Sequence, residues 1–328
     1  MDIKDIRPIR IEEHPVSSKT YLIPTYSIGE TYAMVLKAIK RLDSGLVIYG
    51  RVRYGKTRAM LYCRQCLSID FPSIPVAIFF AERDLSPSKG GFYTSLLEVV
   101  GHAKWEDHCS ISIKKSRLKN FIIDAAFNDP RRVFILFIDE ASRLLPIHYD
   151  WIKDLYNALM EKSVTLLPIL VGQSQLLGHK ETLLKAGEEG EAIVNRFLLY
   201  EHSFRGIRDK EDFVECLGYY DSAVFPEGSN WPYTRFFFPE AFAAGLRLQD
   251  YGDMLWDAFK ESYKGLGIKA DMEIPMKYFT KTIEILLTEY CESDSASFSL
   301  SPAVCMSLIE ESWFAVATRN SKIANTLA

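Results

Sequence analysis

No apolar run in this sequence approaches the roughly 20 residues that a membrane-spanning helix requires. The longest, such as Val133 to Ile138, cover only a few positions. The expectation is a soluble chain with no membrane role. The opening stretch MDIKDIRPIRIEEHP has no apolar core behind a basic cap, and it is not Arg-rich and acid-poor in the way of a transit peptide. Retention in the cytoplasm is therefore expected. Cysteine is sparse, at six residues without repeated spacing, and a chain of 328 residues needs no disulfide staples. Cys63 and Cys66 form a C-x-x-C, but no second pair completes a zinc site, and His102, His108 and Cys109 lack a fourth ligand. An excess of positive charge is missing too. The formal net charge is −4, which excludes a globally basic nucleic-acid binder, so any DNA contact must be local. Internal repeats and base-reading motifs are absent.

What is present is alternation. Tyr32, Val35, Leu36, Ile39 and Leu42 recur at helical spacing, which predicts a helix over 27–42 with Ser27 and Glu30 as a capping box. Short apolar runs at 46–49, 76–80, 133–138 and 166–171 read as strands, separated by helical patterns near 93–100, 112–127 and 151–159. Strands that are apolar throughout and alternate with helices predict an α/β fold, a parallel sheet covered on both faces. After about Phe204 helical patterns take over, including 242–248, 254–263 and 278–290. The expected organisation is an N-terminal extension over 1–26, an α/β core over 27–207, a helical lid over 208–292, and a Ser-rich linker and tail over 293–328. The stretch from Phe225 to Pro239, rich in Pro, Gly and aromatics, reads as a packed loop.

Two motifs carry chemistry. Gly50-Arg51-Val52-Arg53-Tyr54-Gly55-Lys56-Thr57 fits G-x-x-x-x-G-K-[ST], the Walker A phosphate loop, between a strand and a helix where its mechanism requires them. Its N–H groups, with Arg53, Tyr54, Gly55 and Arg58 around them, are candidates to cradle the phosphates of ATP. Lys56 would reach the β- and γ-phosphates, and Thr57 would hold Mg²⁺. The strand ending in Asp139-Glu140 fits Walker B: Asp139 for the metal shell, Glu140 to polarise the attacking water. Gln173, after the strand at 166–171, is placed beside the γ-phosphate if that strand lies between the two Walker strands. Arg196 and then Arg205 are the candidates for an arginine finger completing a neighbouring subunit's site.

The lead-in helix from Thr20 to Leu42, GRVRYGKT, LFIDEASRLL, ILVGQ and NRF before a helical lid together resemble the TnsC/TniB/IstB group of transposition-regulator AAA+ ATPases. The likeness is greatest to the compact TnsC proteins of CRISPR-associated transposons, and it covers roughly residues 20 to 210. It implies an AAA+ P-loop fold with a helical lid, and an ATP- and Mg²⁺-dependent bacterial homo-oligomer forming a ring or filament on double-stranded DNA. It also implies partners, namely transposase subunits of TnsA/TnsB type and a TniQ-type target adaptor. One departure is that Tyr251-Gly252-Asp253 lacks the arginine many such lids carry just past the glycine.

Between Ile111 and Ile123 the basic residues Lys114, Lys115, Arg117 and Lys119 occur with no acid, and Lys89 and Lys104 lie nearby in sequence. With Lys115 and Lys119 at i, i+4, these lysines are the candidate DNA-binding set, directed at phosphates rather than bases; the bland alternative is a solvated helix face. Two rival functions share the Walker set: an initiator or helicase loader of the Orc type, and a nucleotide-gated scaffold without turnover. The first would usually add a winged-helix DNA reader, for which 293–328 is short. The second would leave Glu140 without a catalytic task.

Overall fold

The computed structural model describes residues 7–327, with side chains through Ser321. The first six residues of the expected extension and Ala328 of the expected tail lie outside the described residues. The chain forms two compact units, one of residues 27–204 and the other of residues 7–26 together with 205–327. No helix among the described residues is long and apolar enough to cross a membrane.

A single turn, α1 (Pro15–Ser18), precedes α2 (Tyr26–Arg41). The α/β unit then runs β1 (Leu46–Tyr49), α3 (Lys56–Asp70), β2 (Val76–Phe80), α4 (Lys89–Val99), α5 (Ile111–Ala126), β3 (Val133–Asp139), α6 (Pro146–Met160), β4 (Thr165–Gly172), α7 (Gln175–Leu184), α8 (Glu188–Phe197) and β5 (Glu201–Ser203). The sheet order is β2-β3-β4-β1-β5, with every pair parallel. Along β3 successive side chains point to opposite faces, yet Phe134, Ile135, Leu136, Phe137 and Ile138 are all buried. Both faces are therefore covered, which is why the strand reads as one continuous apolar run.

Two local expectations change. Helix α2 begins at Tyr26, and Ser27 sits buried inside the first turn, where its carbonyl accepts from Thr31 Oγ1 at 2.8 Å. Burial of this face overrides the capping signal. The fifth strand has no apolar run to announce it, because β5 is a three-residue edge strand of Glu, His and Ser pairing only with β1.

The second unit contains α9 (Lys210–Ser222), α10 (Tyr233–Phe237), α11 (Pro239–Ala243), α12 (Gly252–Lys264), α13 (Met276–Glu289), α14 (Pro302–Ser312) and α15 (Phe314–Leu327). Phe213, Phe259, Phe279 and Leu286 form its centre. Val16 and Ile23 join that core from the N-terminal segment, and Cys305, Leu308 and Phe314 join it from the C-terminal one. The Ser-rich stretch thus leads back into the helical core rather than out to a free tail. The aromatic stretch after Phe225 contributes α10, whose Phe236 and Phe237 are fully buried.

His14 is sealed in this aromatic core, stacked 4.4 Å from Phe236 with Tyr233 at 4.6 Å, and its Nδ1 accepts from the Val16 N–H. Burial lowers its pKa to about 4. The folded value lies below the unfolded one, so the stability gained from a neutral His14 is complete above about pH 6.5 and is lost as pH falls toward 4, by up to about 3 kcal/mol. Melting curves across this range are expected to show a loss in the wild type that His14→Phe reduces.

Candidate nucleotide site

The phosphate loop leaves β1 at Gly50 and enters α3 at Lys56. Gly50 is required by crowding. A Cβ there would lie 2.3 Å from the Phe204 carbonyl oxygen. That segment is pinned by the Phe204 N–H donating to the Tyr49 carbonyl at 2.7 Å. Gly55 caps α3 at φ 106, which favours glycine, whereas Arg53 adopts φ 70 with a side chain. Tyr54 is buried and anchors the loop, while Arg53 and Arg58 are exposed around it.

Lys56 Nζ donates to the carbonyls of Gly50 at 2.8 Å and Arg51 at 2.7 Å, curling within the loop. Burial pulls its pKa down, and the carboxylates of Glu140 and Asp139 oppose that. Thr57 Oγ1 donates to Asp139 Oδ2 at 2.7 Å, and the other oxygen, Oδ1, accepts the Glu140 N–H at 2.8 Å. A hydroxyl and a buried carboxylate held in contact at the helix start are oxygen donors suited to Mg²⁺. The ammonium, the glycine turn and the following N-terminus suit phosphates. The residues present therefore fit both groups.

Glu140 follows in the left-handed conformation, φ 52 and ψ 32, at a turn that leaves its carboxylate partly exposed beside Arg143 Nε at 3.7 Å. Strand β4 lies between β1 and β3, so Gln173, just past Gly172, leaves the same carboxyl edge of the sheet. The Gln173 N–H donates to Ser142 Oγ at 2.8 Å.

No family model and no curated protein matches the sequence. Among solved structures the chain is similar to the ORC2 protein of Aeropyrum pernix in ADPNP–ADP complexes, with a TM-score of 0.59 and 11% identity over 92% of this chain and 72% of that one. The ADP form of the same protein gives 0.54 and 14% over 91% and 72%. The Aeropyrum pernix ORC1 protein in complex with DNA gives 0.51 and 12% over 88% and 66%. The fold is that of the AAA+ ATPases.

Within this AAA+ frame, the Walker residues and Glu140 share one edge of the sheet. The remaining candidates are distributed differently. Arg196, near the end of α8, donates to Asn157 Oδ1 at 2.8 Å and lies 4.8 Å over the Tyr156 ring, so its guanidinium is docked on α6 of its own chain. Arg205 belongs to the helical unit, 5.4 Å over the Tyr26 ring. In the lid phrase, Asp253 pairs with Lys210 at 2.7 Å. Of the candidate DNA lysines, Lys89 contacts Asp154 at 2.6 Å and Lys115 lies 4.0 Å from the same carboxylate. Lys114 donates to Thr94 Oγ1 at 2.6 Å, Lys104 is exposed and Lys119 is half-buried.

Sequence reasoning missed Ser142, Arg143 and the pair Tyr149 and His179. The Tyr149 hydroxyl and His179 Nδ1 are 2.8 Å apart. Burial lowers the His179 pKa, and a hydrogen bond to the Ser142 backbone partly offsets this. Arg143 had a signal in its i, i+3 spacing from Glu140. The Ser142 bridge to Gln173 had none, because it joins the separate segments that follow β3 and β4.

The contact at Gly50 predicts that Gly50→Ala forces β1 and the Phe204 segment apart, costing about 3 kcal/mol and weakening nucleotide binding. Gly29, in α2, would gain a Cβ with nothing within 4 Å. Gly29→Ala is the matched control, expected to stabilise slightly. Thermal melts with and without ATP check both.

Proposed function

We propose that this protein binds and hydrolyses ATP, oligomerises, and acts on double-stranded DNA. The observation that carries this reading is the convergence of Lys56, the Thr57–Asp139 pair and Glu140 at one edge of the sheet. Bound Mg²⁺ would neutralise charge on the β- and γ-phosphates. Lys56 would exchange its two loop carbonyls for phosphate oxygens. Thr57 and Asp139 would hold the cation, and Glu140 would accept a proton from the attacking water while Gln173 orients it. Arg196, or else Arg205, would reach a neighbouring protomer's nucleotide. For Arg196 that requires leaving Asn157 and Tyr156, so assembly and its release from α6 would be linked.

The initiator and helicase-loader class has the better support, because the similar structures include ORC2 in ADPNP–ADP complexes and ORC1 in complex with DNA. The second reading is regulation of DNA transposition, bridging a TniQ-type adaptor to TnsA/TnsB-type transposase subunits. It is favoured by the phrases GRVRYGKT and LFIDEASRLL. In either case Lys89, Lys104, Lys114, Lys115 and Lys119 are the proposed phosphate contacts. Lys89 and Lys115 would give up Asp154 to bind.

Electron microscopy with ATP and duplex DNA tests the shared core. Rings or filaments on DNA are expected, and ATP-bound monomers would overturn it. Measuring affinity against salt for Lys115→Ala tests the surface. The log–log slope should fall by about one unit for a lost phosphate contact, and an unchanged slope removes α5 from the interface. Pull-down of a helicase against pull-down of transposase subunits separates the two readings.

A further inference from the structure

Position 53 departs from what its backbone prefers. At φ 70 it lies in the left-handed region that glycine enters without steric penalty and other L residues rarely occupy. The loop uses glycine at its other positive-φ position, Gly55. Yet position 53 carries a long cationic side chain, exposed and three residues before Lys56. Non-glycine residues held in this region concentrate at functional sites, and Glu140, at φ 52, is the other such residue at the nucleotide edge.

The local charge points the same way. Arg51, Arg53, Lys56 and Arg58 are all basic and no acid lies among them. The loop is therefore locally cationic, as a site for phosphates requires. Arg58 stands on the first turn of α3, whereas Arg53 stands on the turn of the loop itself, between β1 and α3.

We propose that Arg53 is a γ-phosphate contact supplied from within the protein's own phosphate loop, distinguishing ATP from ADP and stabilising the charge that develops during hydrolysis. This rests on the ATP-binding reading above. In the step, the water oxygen forms a bond to the γ-phosphorus and the bond from that phosphorus to the bridging oxygen breaks. The β-phosphate keeps the electron pair, and the water's proton passes to Glu140. Arg53 donates N–H bonds to the γ-phosphate oxygens, a geometry a guanidinium fork matches better than an ammonium.

The test is Arg53→Gly, which removes the guanidinium and relaxes the backbone, so its melting temperature should equal or exceed the wild type's. Calorimetric titration with Mg²⁺ and either AMP-PNP or ADP reads binding separately from turnover. AMP-PNP affinity is expected to fall about 10-fold or more with ADP affinity within about 2-fold, and hydrolysis to fall about 100-fold. Arg53→Lys should recover part of the binding. Unchanged AMP-PNP/ADP discrimination with wild-type turnover would overturn the proposal. So would a loss confined to DNA affinity, which would make Arg53 a DNA contact. If the wild type binds neither nucleotide, the ATP reading itself has failed; if wild type binds and Lys56→Ala does not, a silent Arg53→Gly sinks only the role of Arg53.

Discussion

Glu140→Gln is expected to lower ATP turnover by about 100-fold or more while ATP binding persists. The substitution keeps the shape of the side chain and removes its ability to take a proton. It leaves the Thr57–Asp139 pair and the Lys56 ammonium in place. The lost contact to Arg143 is long, at 3.7 Å, and joins two partly exposed groups, so stability should barely change. One negative charge disappears beside the site, so ATP affinity should hold or rise. ATP-dependent assembly should then be trapped rather than abolished. Steady-state phosphate release and nucleotide titration on the same preparation check both halves. A wild type without turnover even on DNA, and indistinguishable from the variant, would favour the nucleotide-gated scaffold instead.

Lys56→Ala is expected to weaken ATP binding by about 100-fold or more, near 2.7 kcal/mol. The ATP-free protein should melt where the wild type does. Burial already disfavours the Lys56 cation, and its two partners are backbone carbonyls, that of Arg51 exposed and that of Gly50 part-buried. The difference appears on adding nucleotide. At about 100 times the dissociation constant a ligand stabilises by about 2.7 kcal/mol, worth roughly 5 °C or more in a domain of this size. That shift should vanish in the variant, together with ATP-dependent oligomers. Oligomers surviving the change would detach assembly from the phosphate loop.

The relation between these two residues explains why the candidate site is legible in the sequence. Lys56 and Glu140 are far apart in sequence, but each belongs to a local phrase with its own physical reason. A glycine turn between strand and helix makes phosphate-binding geometry from neighbouring residues alone. An apolar strand ending in carboxylates delivers them to the edge where open α/β sheets bind ligands. The arginines had no such phrase. Arg196 is a candidate only through its position before the helical unit, and its contacts to Asn157 and Tyr156 depend on how α8 packs on α6. Basic residues on α5 were visible as a run, but the carboxylate shared by Lys89 and Lys115 comes from a different helix.

By itself the sequence determined the Walker residues, the four apolar strands and the change from α/β to helical pattern near Phe204. Each rests on contiguous chemistry or on a periodicity of a few residues, and short-range patterns survive without a fold. Only the tertiary structure decided that β4 lies between the Walker strands, that the polar edge strand Glu201–Ser203 exists, that Ser142 holds the Gln173 N–H, and that residues 7–26 and 302–314 share one helical core. These depend on pairings between distant segments. Their determinants are the area buried and the hydrogen bonds completed on docking, and no single segment carries them.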